Sequence, residues 1–211
     1  MKHLLLINLL ICGLVALHAL PAKAFSQQDL EKFLATGHCH KCDLTEADLR
    51  GKLPKSENIY IVDSDLTNAN LHGLSMPRVK AWGAILANAD LSESDLQGGL
   101  FYRANLSGAN LSDAKLKRFS AEDANLSGAN LSNAYLYKAK LKNADLSNAN
   151  LSGANLTKVR MEGANLQNAN LEGANFDQAE MWNVNLTGTN KEKADMSKAI
   201  FNKVLHLDKS E

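Results

Sequence analysis

Apolar and polar positions recur along this chain with a period of five. From Ile61 to Leu186 a central position, usually Leu, falls at every fifth residue without a slip. Two places before each centre stands a small residue, mostly Ala, and Asn, Asp and Ser fill much of the rest. Residues 104–111, Ala-Asn-Leu-Ser-Gly-Ala-Asn-Leu, show the pattern undiluted. A period of five fits neither the 3.6 of a helix nor the 2.0 of a strand. The chain must therefore turn regularly, with Ala and Leu sent inward and Asn, Ser and the fifth residue sent outward.

Units of the form Ala-[Asp/Asn]-Leu-x-x over about residues 42–201 resemble the pentapeptide-repeat family. The resemblance implies an all-β solenoid: a right-handed, quadrilateral, parallel β-helix with four units per coil. Residues 20 apart should then stack on one face. Read at that interval, one face is Leu66, Leu86, Leu106, Leu126, Leu146, Leu166 and Leu186. The next runs from Leu71 through Leu171 to Lys191, and the third from Met76 through Leu156 to Phe176 and Met196. Irregularity gathers on the fourth: Ile61, Ala81, Phe101, Ala121, Leu141, Met161, Met181 and Phe201. A buried Leu contributes roughly 1.5–3 kcal/mol, whereas ordering each residue costs about 1–2 kcal/mol. One coil cannot persist alone, and stability accumulates along the stack. About seven 20-residue coils at ~4.8 Å spacing give a rod on the order of 30–35 Å long. Asn recurs at 105, 125 and 165, and at 110, 130, 150 and 170, which predicts side-chain amide ladders between coils.

The ends need caps, because an open coil exposes apolar surface and unpaired backbone. Ser26 with Asp29 has the form of a capping box, Leu30, Phe33 and Leu34 make an apolar stripe, and Gly37 is a stop signal. These features predict a short helix over 26–36 within an N-terminal cap and C-x-x-C segment spanning 25–41. Leu44 and Leu49 are centres in another phase, two residues out of step with Ile61, so residues 51–58 are expected to loop out. Lys191 interrupts the core, Met196 and Phe201 resume it, and Val204, Leu205 and Leu207 in the tail 202–211 are expected to cap it. An uncapped end would instead make the chain a dimer.

Residues 1–24 carry a basic start (Lys2), an apolar run from Leu4 to Leu20, and Ala22-Lys23-Ala24 at the end. That is the pattern of a secretory signal cleaved before Phe25. Ile11 is too large to precede a lipoprotein cysteine at Cys12. The expected location is the periplasm or the exterior, or the thylakoid lumen if the source is cyanobacterial. The full chain is neutral, with 23 basic and 23 acidic residues. Cleavage removes Lys2 and Lys23 and no acid, leaving a net charge of −2. Nothing in this balance suggests a nucleic-acid partner.

His38-Cys39-His40-Lys41-Cys42 is the densest chemical cluster. In an exported chain Cys39 and Cys42 are expected to form a disulfide that staples the capping helix to the first coil. The competing reading is a soft-metal site of His38, Cys39, His40 and Cys42. Asp43 stands where c-type haem attachment needs His. His72 and His206 are isolated, and no catalytic constellation, phosphate loop or nucleophile elbow is present, so neither an enzyme nor a cofactor is expected. The fourth face departs from the consensus outside as well as inside. Just before its centres stand Tyr60, Lys80, Leu100, Ser120, Lys140, Arg160, Glu180 and Ile200, and just after them Val62, Trp82, Tyr102, Glu122, Lys142, Glu162 and Trp182. The corner leading into it reads Arg78, Gly98, Arg118, Lys138, Lys158, Gln178 and Lys198. One reading is a solvated face. The other is a binding surface for a protein, an anionic glycan or a lipid headgroup, built from Arg78, Lys80, Trp82, Tyr102, Arg118, Lys138, Lys140, Lys158, Arg160 and Trp182. Members of the family include strongly acidic DNA mimics that protect topoisomerases such as gyrase, and exported proteins without assigned activity. The charge and the signal align this chain with the second group, as a non-enzymatic exported scaffold or binding module, with the gyrase-directed mimic as the alternative.

Overall fold

The structure, a computed structural model, describes residues 25–54, 56 and 58–201. Residues 1–24, where a secretory signal is expected, and the tail 202–211, with Val204, Leu205 and Leu207, lie outside the described residues.

Each five-residue unit contributes one bridging residue and one turn. Asn105 pairs in parallel with Asn125, and the same pairing recurs at an interval of 20 from Tyr60↔Lys80 to Glu180↔Ile200. Around that bridge Leu106 N–H donates to Asn125 O at 2.7 Å, and Asn125 N–H donates to Ala104 O at 3.0 Å. Stacked coils thus satisfy the backbone that a single coil would leave open. At the corner Ala109 N–H donates back to Leu106 O at 3.0 Å, with Gly108 at φ +65°. This is the positive-φ position of a type II turn, which favours Gly and Asn. The outward Asn or Asp supports the same turn: Asn105 Oδ1 accepts from Ser107 N–H at 3.1 Å, and Asn150 Oδ1 from Ser152 N–H at 3.1 Å. The consensus is therefore a complete local program, with Ala and Leu for the core, Asn or Asp for the turn's first amide, and Gly or Asn for its left-handed residue.

The centres and the small residues before them are buried in column after column, from Leu44 to Leu186. On the fourth face the sizes trade places between coils. Gly99 precedes Phe101, and Phe119 precedes Ala121; the two rings lie 4.7 Å apart and both are buried. A Cβ on Gly99 would stand 2.9 Å from Phe101 Cε2, so glycine makes the room that the ring fills. One amide ladder is continuous: Asn110 donates to Asp90, and Asn130, Asn150, Asn170 and Asn190 each donate to the amide oxygen 20 residues earlier, at 2.8–3.1 Å. In the other column the bonds run from Asp145 through Asn165 to Asn185.

Helix α1 (Gln27–Thr36) is capped by Ser26, whose hydroxyl accepts from Asp29 N–H, and ends at Gly37 with φ +74°. Strands β1 (His38–His40) and β2 (Tyr60–Val62) pair in parallel, with Cys39 opposite Ile61. Cys39 therefore occupies a core position of the fourth face, and coil stacking begins at His38, ahead of the boundary expected at 42. The first coil is two residues longer than the rest, since His38 pairs with Tyr60 and Asp48 with Asn70. The excess lies in the 51–58 segment. At the far end Asn190 Oδ1 accepts from Leu171 N–H at 2.6 Å, and a 3₁₀ turn (Lys191–Lys193) replaces the regular unit where Lys191 breaks the core.

Candidate ligand-binding face

The corner that leads into the fourth face gives up the local program. Arg78, Arg118, Lys138, Lys158 and Gln178 all have φ between +57° and +60°, and Gly98 is the one glycine among them. The three other corners fill this position with Gly, Asn or Asp, save for Lys41 and Arg103 on one, Glu46 on another and Glu93 on the third. A left-handed backbone costs an ordinary L-residue roughly 1–2 kcal/mol. The face itself gives up a second device: none of Tyr60, Lys80, Leu100, Ser120, Lys140, Arg160, Glu180 and Ile200 caps its turn as Asn or Asp does elsewhere.

The structure divides the ten residues singled out in the sequence. Arg118, Lys138, Lys140, Lys158 and Arg160 line one groove of about 650 Å³, together with Ser120, Gln178, Glu180 and Ile200. Trp182 adjoins it across Lys140 and Arg160, in a smaller hollow of about 110 Å³, with 38% of its surface exposed. The other four residues lie apart. Lys80 Nζ donates to Tyr60 Oη at 3.0 Å and sits 4.5 Å from that ring's centre. Trp82 and Tyr102 share a hollow with Asp63 and Asp123, and Arg78 lies in a separate hollow with Gln97, Gly98 and Lys117 that meets the groove only at Arg118. Gly98 and Leu100 carry no charge where the basic columns would otherwise continue.

Within the groove Arg160 Nε is 3.0 Å from Glu180 Oε2. Lys138 Nζ lies 5.2 Å from the Tyr137 ring centre. Arg118, Lys140 and Lys158 have no carboxylate partner among the described residues. Ser120 is only 4% exposed, and its hydroxyl has no hydrogen-bond partner among the described residues. Sequence reading listed Ser120, Glu180 and Ile200 on this face without joining them to the site. The 20-residue interval was the signal that could have done so.

The other cluster is closed. Cys39 and Cys42 are joined as a disulfide, both buried, with Cα atoms 5.5 Å apart. The bond lies within the turn after β1. Helix α1 is held by other contacts: buried Phe33, Asp29 Oδ2 accepting from Asp43 N–H at 3.0 Å, and Asp43 O accepting from Ser26 N–H at 3.0 Å. Ser64 sits beneath the disulfide turn, its hydroxyl donating to Cys39 O and accepting from Cys42 N–H. His38 and His40 point outward, His38 against the Tyr60 ring and His40 Nδ1 3.9 Å from Asp63. Among the described residues no group of three or more His, Cys, Asp and Glu side chains is arranged to hold a metal ion.

A family model for pentapeptide repeats matches residues 84–120, 124–163 and 164–202, in eight copies. The chain belongs to the pentapeptide-repeat family. Solved pentapeptide-repeat proteins similar to it include QnrB1, a plasmid-mediated fluoroquinolone resistance protein, at 21% identity over 68% of this chain and 83% of that one, TM-score 0.48. HetL, involved in heterocyst differentiation regulation in the cyanobacterium Nostoc sp. strain PCC 7120, is 24% identical over 71% of this chain and 91% of its own, TM-score 0.27. Rfr23 from the cyanobacterium Cyanothece 51142 is 28% identical over 70% and 91%, TM-score 0.23. No curated protein sequence matches the chain.

Proposed function

We propose that this pentapeptide-repeat protein is an exported, non-enzymatic binding module whose working surface is the groove along Arg118–Arg160. One observation carries the reading. On this edge, long basic side chains recur coil after coil at left-handed backbone positions that the other corners give mostly to Gly, Asn and Asp. Local rules broken at a repeated cost mark a surface kept for something other than folding. Arg118, Lys138 and Lys158, none with a carboxylate partner among the described residues, stand one coil apart at about 4.8 Å, where two unit charges repel by up to about 1 kcal/mol in water. An anionic partner would relieve that repulsion. The gathered surface is cationic, opposite in sign to a DNA mimic, which counts against the gyrase-directed alternative. Export is supported by residues 1–24 and by the paired cysteines. The test is a pull-down from the native compartment with wild type and with R118E/K138E/K158E. A partner retained by the first and lost by the second is expected. Equal recovery on both would remove the groove from the function.

A further inference from the structure

Resting on that reading, the geometry points to a linear acidic polysaccharide, a polyuronate or a sulfated glycan, as the ligand of the groove. The groove follows the solenoid axis, because its walls are columns that advance one coil at a time: Arg118, Lys138 and Lys158 on one side, Ser120, Lys140 and Arg160 on the other. Each step is about 4.8 Å. A polyuronate carries one carboxylate on every sugar, as a sulfated glycan can carry one sulfate, and a sugar ring in an extended chain spans about one such step. The charges of ligand and wall therefore stay in register over several coils. An extended acidic peptide presents alternate side chains to one face every ~6.7 Å and drifts out of register by the second coil.

Two further observations favour a sugar over other polyanions. Ser120 is a buried residue whose hydroxyl, open to the groove and without a protein partner, can exchange hydrogen bonds with a ring hydroxyl. Trp182 exposes a flat apolar face beside Arg160 and Lys140, suited to the face of a sugar ring. Single-stranded nucleic acid would want successive aromatic platforms. The coils preceding Trp182 in its column offer Glu162, Lys142 and Glu122 instead.

Oligogalacturonides of one to six rings serve as the probe, measured by titration calorimetry. Affinity is expected to rise with length and level off at about four rings, the span from Arg118 to Gln178 at ~4.8 Å per coil. R118E/K138E/K158E should weaken binding by roughly tenfold or more. K32E/K41E/K52E, with the same charge change away from the groove, should stay within about twofold. Ser120→Ala should lose about threefold for one hydrogen bond. Equal or tighter binding of poly-L-glutamate or oligo-dT overturns the proposal, as does an equal loss in both triple variants. If the uronide fails to bind while the pull-down still depends on the groove, the sugar assignment falls and the binding face stands. If neither experiment depends on the groove, both fall.

Discussion

Replacing the basic residues of the left-handed corner should make this protein more stable, although each replacement removes a long side chain. The perturbation is R118N/K138N/K158N. Asn already occupies the equivalent turn position at 88, 133, 143, 148, 168 and 183. A left-handed residue costs about 1–2 kcal/mol, and Asn recovers about half of it, so three sites should yield about 2 kcal/mol. For a chain of this size that corresponds to roughly 4–8 °C in Tm. Removing stacked like charges would also stabilise, so melting is followed by circular dichroism in 0.5 M salt, where exposed charges are screened to within about 4–5 Å. Lys117→Asn supplies the matched control, because Lys117 lies beside the corner with no positive φ. It should change Tm by less than about 1 °C at high salt, a surface substitution away from special geometry. The variant should at the same time lose groove binding. A triple variant no more stable than wild type at high salt would refute the reasoning: these backbone positions would then carry no cost, and their basic residues would need no function to explain them.

Other expectations are equally direct. Gly99→Ala places a Cβ 2.9 Å from the Phe101 ring and 3.0 Å from Leu96 O, and should lower stability by about 1–3 kcal/mol in urea unfolding. Burial pushes the Asp90 carboxyl up, but hydrogen bonds from the Ser92 hydroxyl and amide, the nearby His72 and the Asn110 amide outweigh it and hold the carboxyl below its ordinary 3.8. A lowered folded value means stability present above pH 3.8 and lost as pH falls through the folded value, so Asp90→Asn should flatten the acid limb of a stability–pH profile. An unchanged acid limb would show that the ladder end does not titrate as described. Protein recovered from fractionated cells should begin at Phe25 by N-terminal sequencing; an intact Met1 would contradict export.

The fold was legible because one unit repeats: period five fixed which side chains point in, and period twenty fixed which of them stack. The two extra residues of the first coil were legible for the same reason, as a phase slip between Leu49 and Ile61. Cys39 as a core residue was not, because a cysteine beside histidines looks like chemistry until its pairing with Ile61 puts it in the Ala81 column. The basic columns were visible at their twenty-residue interval. Their division into one groove and several separate hollows was not, since it depends on how Lys80 folds onto Tyr60 and on the uncharged Gly98 and Leu100 between them. The backbone conformation of Arg118, Lys138 and Lys158 was also invisible until the corner's φ angles were known, though their offset of two residues from each centre matches that of Gly108 and Gly128.

The amide ladders give the rod a direction. Every ladder amide points its N–H groups toward the coil before it, so aligned dipoles sum along the axis as peptide dipoles do along a helix. Their positive end meets a carboxylate in both core-flanking columns, Asp90 in one and Asp145 in the other. Aspartate accepts and cannot donate, so it ends a column on that side; at the opposite end Asn190 turns its amide oxygen to the Leu171 N–H and closes the longer column. Coils duplicated between the two ends would extend the ladders without changing either terminus, so the length of such a rod can vary while its polarity is kept.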